Sequence, residues 1–363
     1  MRKFLFAALL LASAASLTSC EKDSPTTKPI NFDLPYDMII VNEGNFTKID
    51  GSFSLYFESK DSVANDVFKK VNGRELGDVV QSLKMVDSLG YFVSNNTGVI
   101  EVVSLKTFKS KATISNLGNP RYMEAYNGKG YVSEWKSDAI VVVDLASNKV
   151  IKSIKVGIDP EGLFISGDKL FVANSSHGNY TNGYKGNDNT ISVIDLKTDN
   201  VVKTITVGDK PFKFTQDING NIWVICSGYS EYNNDAANTN ATLCKIDPKT
   251  YSVTKLDLGT FRATYIATNP AKNKIYYGIG YPSKGICQID INATEASKTP
   301  FIKDEFYGFS VNPKTGVIYA FTSSYDAVNP NKLFKYDATG TLISSNSKNR
   351  NTGIYPNGGY FVK

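Results

Sequence analysis

The chain has one histidine, His177, set in the run Ser175-Ser176-His177-Gly178. An imidazole can serve as general base to a serine nucleophile or as a metal ligand. The companions that either role needs are missing: the serines follow no Gly-x-Ser-x-Gly elbow, and no second His or Cys stands at ligand spacing. His177 reads as a hydrogen-bonding loop side chain, and no catalytic residue or resident metal is assigned. Oxygen chemistry is the alternative. Glu43, Glu161, Asn174 and Asn357 are hard-cation donors, and a fold that converged them could support a calcium-dependent lactonase or lyase. Cys226, Cys244 and Cys287 are widely spaced, with no C-x-x-C pair. They read as buried thiols, with a Cys226–Cys244 disulfide as the open alternative.

Recognition surface is better supplied than reactive groups. Two long polar segments, Ser175 to Asn189 and Ser227 to Thr242, carry Tyr180 and Tyr184 in the first and Tyr229 and Tyr232 in the second. Phe46, Trp135, Tyr281 and Tyr325 occupy comparable turns elsewhere. Tyr and Trp present rigid area with a polar tip, which suits a bulky amphipathic ligand. Structureless segments longer than about 12 residues are usually functional or disordered.

The elements that must position these residues repeat. From Leu76 onward a set of signals returns roughly every 40 to 50 residues, the period of propeller blades. One unit opens at Gly118-Asn119-Pro120, turns at Asn127-Gly128-Lys129-Gly130, and closes a third strand at Asp144. Copies run from Gly157 to Val207 and from Gly208 to Leu258. An earlier copy spans Leu76 to Ile114, with Ser104 at the Asp position, and looser ones follow from Gly259 to Asp290 and from Lys303 to Asp337. Each holds short runs of Val, Ile, Phe and Tyr between Gly, Asn, Asp and Pro punctuation, which reads as four strands. No sustained helical period occurs.

The segment Met38 to Phe68 supplies three strands and lacks the opening one, which Gly353-Ile354-Tyr355-Pro356 and Gly359 to Val362 provide. The expected fold is all-β: a seven-bladed β-propeller of four-stranded blades, its ring closed by N- and C-terminal strands in one blade. In that architecture the opening of each unit and the second-to-third strand loop emerge on one face. The mouth there is expected to carry Asn119, Pro120, Arg121, Asp159, Glu161, Lys210, Phe212, Phe261, Arg262, Tyr355 and Asn357. These charges could anchor polar ligand groups or satisfy one another across blades. The candidate ligand contacts are Phe46, Arg121, Trp135, His177, Tyr180, Tyr184, Phe212, Tyr229, Tyr232, Arg262, Tyr281 and Tyr325.

At the N-terminus, Arg2 and Lys3 precede an apolar run from Phe4 to Leu11, and small residues lead into Leu17-Thr18-Ser19-Cys20. This reads as a secretory leader over residues 1–19, too short for the roughly 20 residues of a membrane span. Residues 20–35 read as a tether with Cys20 as its first residue, and residues 36–363 as one domain. Losing Arg2 and Lys3 leaves 38 basic residues of the 40, against 35 acidic, so net charge falls to about +3. That balance, with no basic block, does not favour nucleic acid.

Leu17-Thr18-Ser19-Cys20 resembles the lipobox of bacterial lipoproteins, and Glu21-Lys22-Asp23 resembles a surface-export signal of Bacteroidetes. The segments Val41-Asn42-Glu43-Gly44-Asn45-Phe46, Gly51-Ser52-Phe53-Ser54-Leu55-Tyr56 and Asn72-Gly73-Arg74-Glu75-Leu76-Gly77-Asp78 resemble the start of the YncE-like propeller lipoproteins of that phylum. Asp195-Leu196-Lys197-Thr198 and Val207-Gly208-Asp209-Lys210-Pro211 resemble the blade signatures of the same group. The resemblance implies lipidation of Cys20 and a place on the outer membrane, exposed at the cell surface. Some members bind cobalamin and pass vitamin B12 to a TonB-dependent transporter. It therefore implies a corrinoid or similar ligand that is cargo rather than cofactor, with that transporter as partner, contact with the membrane through the lipid only, and no chemistry. A protein- or glycan-binding adhesion propeller is the alternative, and the calcium-dependent enzyme a second.

Overall fold

The structure, a computed structural model, describes residues 35–176, 187–229, 238–260, 262, 263–280, 284–324, 330–343 and 350–362. Residues 33–363 form one compact unit. The expected leader, Cys20 and most of the expected tether lie outside the described residues.

Among the described residues, twenty-six strands make seven antiparallel sheets. The strands β1 (Met38–Asn42), β2 (Ser52–Phe57) and β3 (Ser62–Ala64) belong to the first blade. The second contains β4 (Val80–Val86), β5 (Leu89–Ser94), β6 (Val99–Ser104) and β7 (Ser110–Ile114). The third contains β8 (Pro120–Tyr126), β9 (Lys129–Glu134), β10 (Ala139–Asp144) and β11 (Lys149–Lys155). The fourth contains β12 (Pro160–Ser166), β13 (Lys169–Asn174), β14 (Thr190–Asp195) and β15 (Asn200–Thr206), and the fifth β16 (Pro211–Gln216), β17 (Ile222–Cys226), β18 (Ala241–Ile246) and β19 (Val253–Gly259). The sixth holds β20 (Ala263–Thr268), β21 (Lys274–Ile279) and β22 (Gly285–Asp290), and the seventh β23 (Gly308–Val311), β24 (Ile318–Phe321) and β25 (Leu333–Tyr336). The last strand, β26 (Pro356–Phe361), returns to the first blade and pairs with β1, Met38 opposite Phe361 and Ile40 opposite Gly359. The expected closure by both chain ends is therefore present.

Five sheets are four-stranded, and the sixth and seventh show three regular strands. Their outer edges thin to isolated bridges, Ile286–Ile302 in one and Lys332–Asn351 and Tyr336–Leu342 in the other. These are the units whose repeat is loosest in sequence. A six-residue helix, α1 (Val67–Asn72), links the first two blades and buries Val67 and Phe68. It is too short to leave a helical period in the sequence.

The strand period of two explains the core. Alternate side chains of one strand point to opposite faces, and in a propeller both faces meet a neighbouring blade. Val141 and Val143 of β10 pack with Val93 and Val102 of the second blade, while Ile140 and Val142 pack with Leu170 and Val172 of the fourth. Phe53 stacks on Phe92 at 4.5 Å between the first and second blades. Strands buried on both faces read as continuous apolar runs, as in Ile222–Cys226.

The innermost strands β26, β4, β8, β12, β16, β20 and β23 each contact the next around the ring and so line a central channel. Two local devices shape its mouth. The residue before five of these strands has a left-handed backbone: Val79, Asn119, Asp159, Lys210 and Tyr355, with φ between 44° and 57°. Such conformations suit Asn and Asp and are strained for Val. In six of the seven innermost strands the pairing register also slips near the first residue. A slip of this kind leaves an extra residue unpaired and re-aims its side chain. Arg121 and Tyr122, consecutive in sequence, accordingly reach opposite neighbours, Arg121 bonding Glu161 of β12 and Tyr122 bonding Gln81 of β4.

Candidate ligand-binding mouth

At the mouth Arg121 is held from two sides. Its Nη2 lies 3.0 Å and its Nε 3.1 Å from the Glu161 carboxylate, and its guanidinium lies 4.1 Å from the centroid of the Trp135 ring. Glu161 is fully buried and Arg121 nearly so. Burial works against the Arg121 charge, but Glu161 outweighs it and the pKa is raised further.

A second network closes the other side of the ring. Glu43, in the loop after β1, accepts hydrogen bonds from the Tyr307 hydroxyl and from Asn357 Nδ2 at 2.9 Å. Asn357 also donates to the Gln81 carbonyl at 2.8 Å, and Gln81 donates to the Tyr122 hydroxyl at 3.1 Å. Of the residues expected at the mouth, Arg121 and Glu161 thus satisfy one another across blades, and Asn357 is held by Glu43 and the Gln81 carbonyl.

The four oxygen donors considered for calcium are not assembled into one centre. Glu161 is engaged by Arg121, Glu43 by Tyr307 and Asn357, and Asn174 donates to Thr190 and Ser192 on β14. Among the described residues no group of three or more His, Cys, Asp and Glu side chains is placed to hold a metal ion.

Around this plug stand the feet of the two long insertions. The Asp188 N–H donates to Ser176 Oγ at 3.1 Å, and Asp188 accepts the Ile158 N–H at 2.9 Å, which fixes the fourth-blade loop beside the start of β12. In the fifth blade Tyr229 and Thr239 exchange hydrogen bonds at 2.9 Å, and the Gly228 N–H donates to the Asp209 carbonyl. The Lys210 N–H reaches the Asp188 carbonyl at 3.1 Å and ties the two feet together. The Lys210 ammonium lies 5.2 Å from the Tyr229 ring centroid. Its pKa is lowered, first by burial and then by Arg262.

Of the expected ligand contacts, Phe46 is 61% exposed and Arg262 is exposed, while Tyr229 and Phe212 are half-buried. Arg121 and Trp135 are buried, and together they form part of the plug rather than an open surface. His177, Tyr180, Tyr184, Tyr232, Tyr281 and Tyr325 lie outside the described residues, as does Phe261. The Cys226 and Cys244 sulfurs are 4.0 Å apart, both thiols buried and unbridged, so the disulfide alternative gives way to a thiol pair.

Sequence reasoning missed Lys213 and Tyr265. Both line the channel below the mouth, the Lys213 ammonium 4.2 Å from the Tyr265 ring centroid. Lys213 reads in sequence as the polar member of an alternating strand. The register slip beside Pro211 that re-aims it leaves no compositional mark.

Fold and mouth define the class: a seven-bladed β-propeller whose channel is plugged at the loop-bearing face by a buried polar network. Residues 36–362 match the family described as Domain of unknown function (DUF5074), and the chain belongs to that family. The seven-bladed beta-propeller protein Rv1057 of Mycobacterium tuberculosis is 26% identical over 151 residues, 40% of this chain and 36% of that protein. The match thus spans about a third of the relative's length. Two solved structures share the fold over 90% of this chain: candidate 6-phosphogluconolactonases from Bacteroides fragilis (TM-score 0.65, 11% identity, 98% of that chain) and Bacteroides uniformis (0.64, 14%, 99%). Dihydro-heme d1 dehydrogenase NirN is similar over 92% of this chain and 77% of its own, at 12% identity and a TM-score of 0.57.

Proposed function

We propose that the protein captures a bulky amphipathic nutrient, a cobalamin or related corrinoid, on the loop-bearing face and hands it to a TonB-dependent outer-membrane transporter. In this reading it acts without a cofactor, at the cell surface, held to the membrane by lipid on Cys20. The observation that carries the binding role is the convergence, around one plugged mouth, of the tied feet of two long insertions with Tyr229, Arg262 and the exposed Phe46. A plugged channel directs a ligand to lie on the face, where aromatic area and adaptable loops can cover it. The pairing of Glu161 with Arg121 and of Glu43 with Asn357 favours binding over metal-assisted hydrolysis. The choice of a corrinoid rests on the family resemblance of the sequence.

Isothermal titration of the purified protein with cyanocobalamin and its incomplete precursor cobinamide tests the reading. Saturation near one equivalent, with a shift in the corrin absorption bands, is expected. No heat and no spectral change with either compound would remove the corrinoid and leave a protein or glycan as the ligand of this face.

A further inference from the structure

Below the mouth lies a cavity of about 310 Å³, lined by Tyr122, Lys213, Ser310 and Asn357 among others. Lys213 is the one charged group in its wall among the described residues. Its ammonium lies 4.2 Å from the ring centroid of Tyr265 and 5.5 Å from those of Tyr122 and Phe212. Aromatic faces hold a cation only weakly compared with a carboxylate. The opposite charges that Lys213 feels, Glu43 and Glu161, are already engaged by Tyr307, Asn357 and Arg121.

Two hydroxyls in the same wall point to the missing partner. Tyr122 accepts from Gln81 Nε2 at 3.1 Å, and Ser310 accepts from the Gly359 N–H at 2.9 Å. Each is an acceptor in the bond it makes and retains its own proton to donate. A desolvated cation flanked by hydroxyl donors, with no carboxylate in the wall, is complementary to an oxyanion. We propose that this cavity binds a small free oxyanion, a carboxylate or phosphate, paired with Lys213.

The space suffices. At about 30 Å³ per water the cavity equals roughly ten waters, enough for phosphate or a four-carbon diacid. The way in lies opposite the plug. A second cavity of about 740 Å³ shares Tyr122, Leu163 and Tyr360 with the first and runs to the exposed turn at Asp87, at the far end of β4. The site is therefore reached from the end of the ring away from the mouth, although Asn357 belongs to both walls.

Inorganic phosphate and succinate are the probes, titrated into the whole protein at matched ionic strength and read by melting temperature and calorimetry. Melting temperature is expected to rise with the logarithm of anion concentration up to about 10 mM, with glycerol inert. Lys213→Met should weaken both anions at least about tenfold, the loss of one charge-assisted bond, while Lys213→Arg retains binding. No stabilisation by either anion, or equal affinity in Lys213→Met, overturns the site. Should Lys213→Met fail to fold, acetylation of wild-type Lys213 mapped by mass spectrometry replaces it: protection by phosphate supports the site and its absence overturns it. Saturating cyanocobalamin should leave phosphate affinity unchanged. Competition would show instead that the anion is an arm of a mouth ligand and overturn the free-anion assignment.

Discussion

Arg121 is clamped between Trp135, 4.1 Å away on its own blade, and the Glu161 carboxylate, 3.0 Å away on the next. Blades three and four are thus joined at the mouth by a charge pair with almost no solvent. Removing one member of such a pair strands the other as a buried charge, whereas replacing both by apolar groups of similar size is often neutral.

Arg121→Ala is therefore expected to destabilise the protein by about 3–5 kcal/mol, measured by urea unfolding. The double variant Arg121→Met with Glu161→Leu should recover most of that loss. A single variant with wild-type stability would mean that the pair is not the buried link described.

Lys213 sets a pH dependence. Burial lowers its pKa to about 8, against the attraction of Glu43 and Glu161 and in the same direction as the repulsion of Arg121; the Tyr122 and Tyr265 rings pack against it. An unfolded lysine titrates near 10.4. Between about pH 8 and pH 10.4 the unfolded chain then binds more protons at this site than the folded one, so the Lys213 contribution to stability rises with pH across that window. The contribution approaches roughly 3 kcal/mol. Urea unfolding of wild type and Lys213→Met, compared at pH 7 and pH 10, should show the stability difference between the two moving in favour of the wild type at the higher pH, since the buried tyrosines and thiols common to both cancel in that difference. Parallel behaviour of the two proteins would place Lys213 in solvent.

The thiol pair predicts unusual chemistry without a bridge. A hydrogen bond from Cys226 lowers the Cys244 pKa below the usual thiol value, while burial raises that of Cys226 well above it. Thiolate character without access gives no reaction. Cys226, Cys244 and Cys287 are expected to resist a thiol reagent in the native state and to react together on denaturation. Prompt native labelling of Cys244, or a mass two hydrogens short under non-reducing conditions, would contradict the buried, reduced pair.

At the mouth, Phe46, Tyr229 and Arg262 are accessible without belonging to the plug. Replacing all three by alanine should leave the far-ultraviolet spectrum intact and weaken corrinoid binding by about tenfold or more, since such anchors contribute about 1–2 kcal/mol each. Unchanged affinity in the folded triple variant would move the ligand elsewhere.

Much of the ring could be read from the sequence because five of the seven innermost strands follow a residue that turns left-handed. Asn119 and Asp159 do so at low cost, and each precedes a proline that fixes the strand start. The partnership of Arg121 with Glu161 also had a signal, since the two are 40 residues apart, one repeat. Lys84 and Glu124 form the same kind of pair at the same spacing. Lys213 had no such signal. Its inward aim depends on a register slip, and its aromatic surroundings come from Tyr122 and Tyr265, residues on two other blades. Side chains that face a channel and a blade interface look alike in a strand of mixed polarity such as Phe212-Lys213-Phe214.

The closure of the ring also determines how the molecule bears load. β1 lies between β26 and β2, with registered pairs along both edges, and the Val362 N–H donates to the Asp37 carbonyl beside it. A pull applied ahead of Asp37 acts along the axis of β1 and loads both ladders in shear at once, so they must rupture together rather than peel bond by bond. The strand that seals the propeller is also its mechanical clamp.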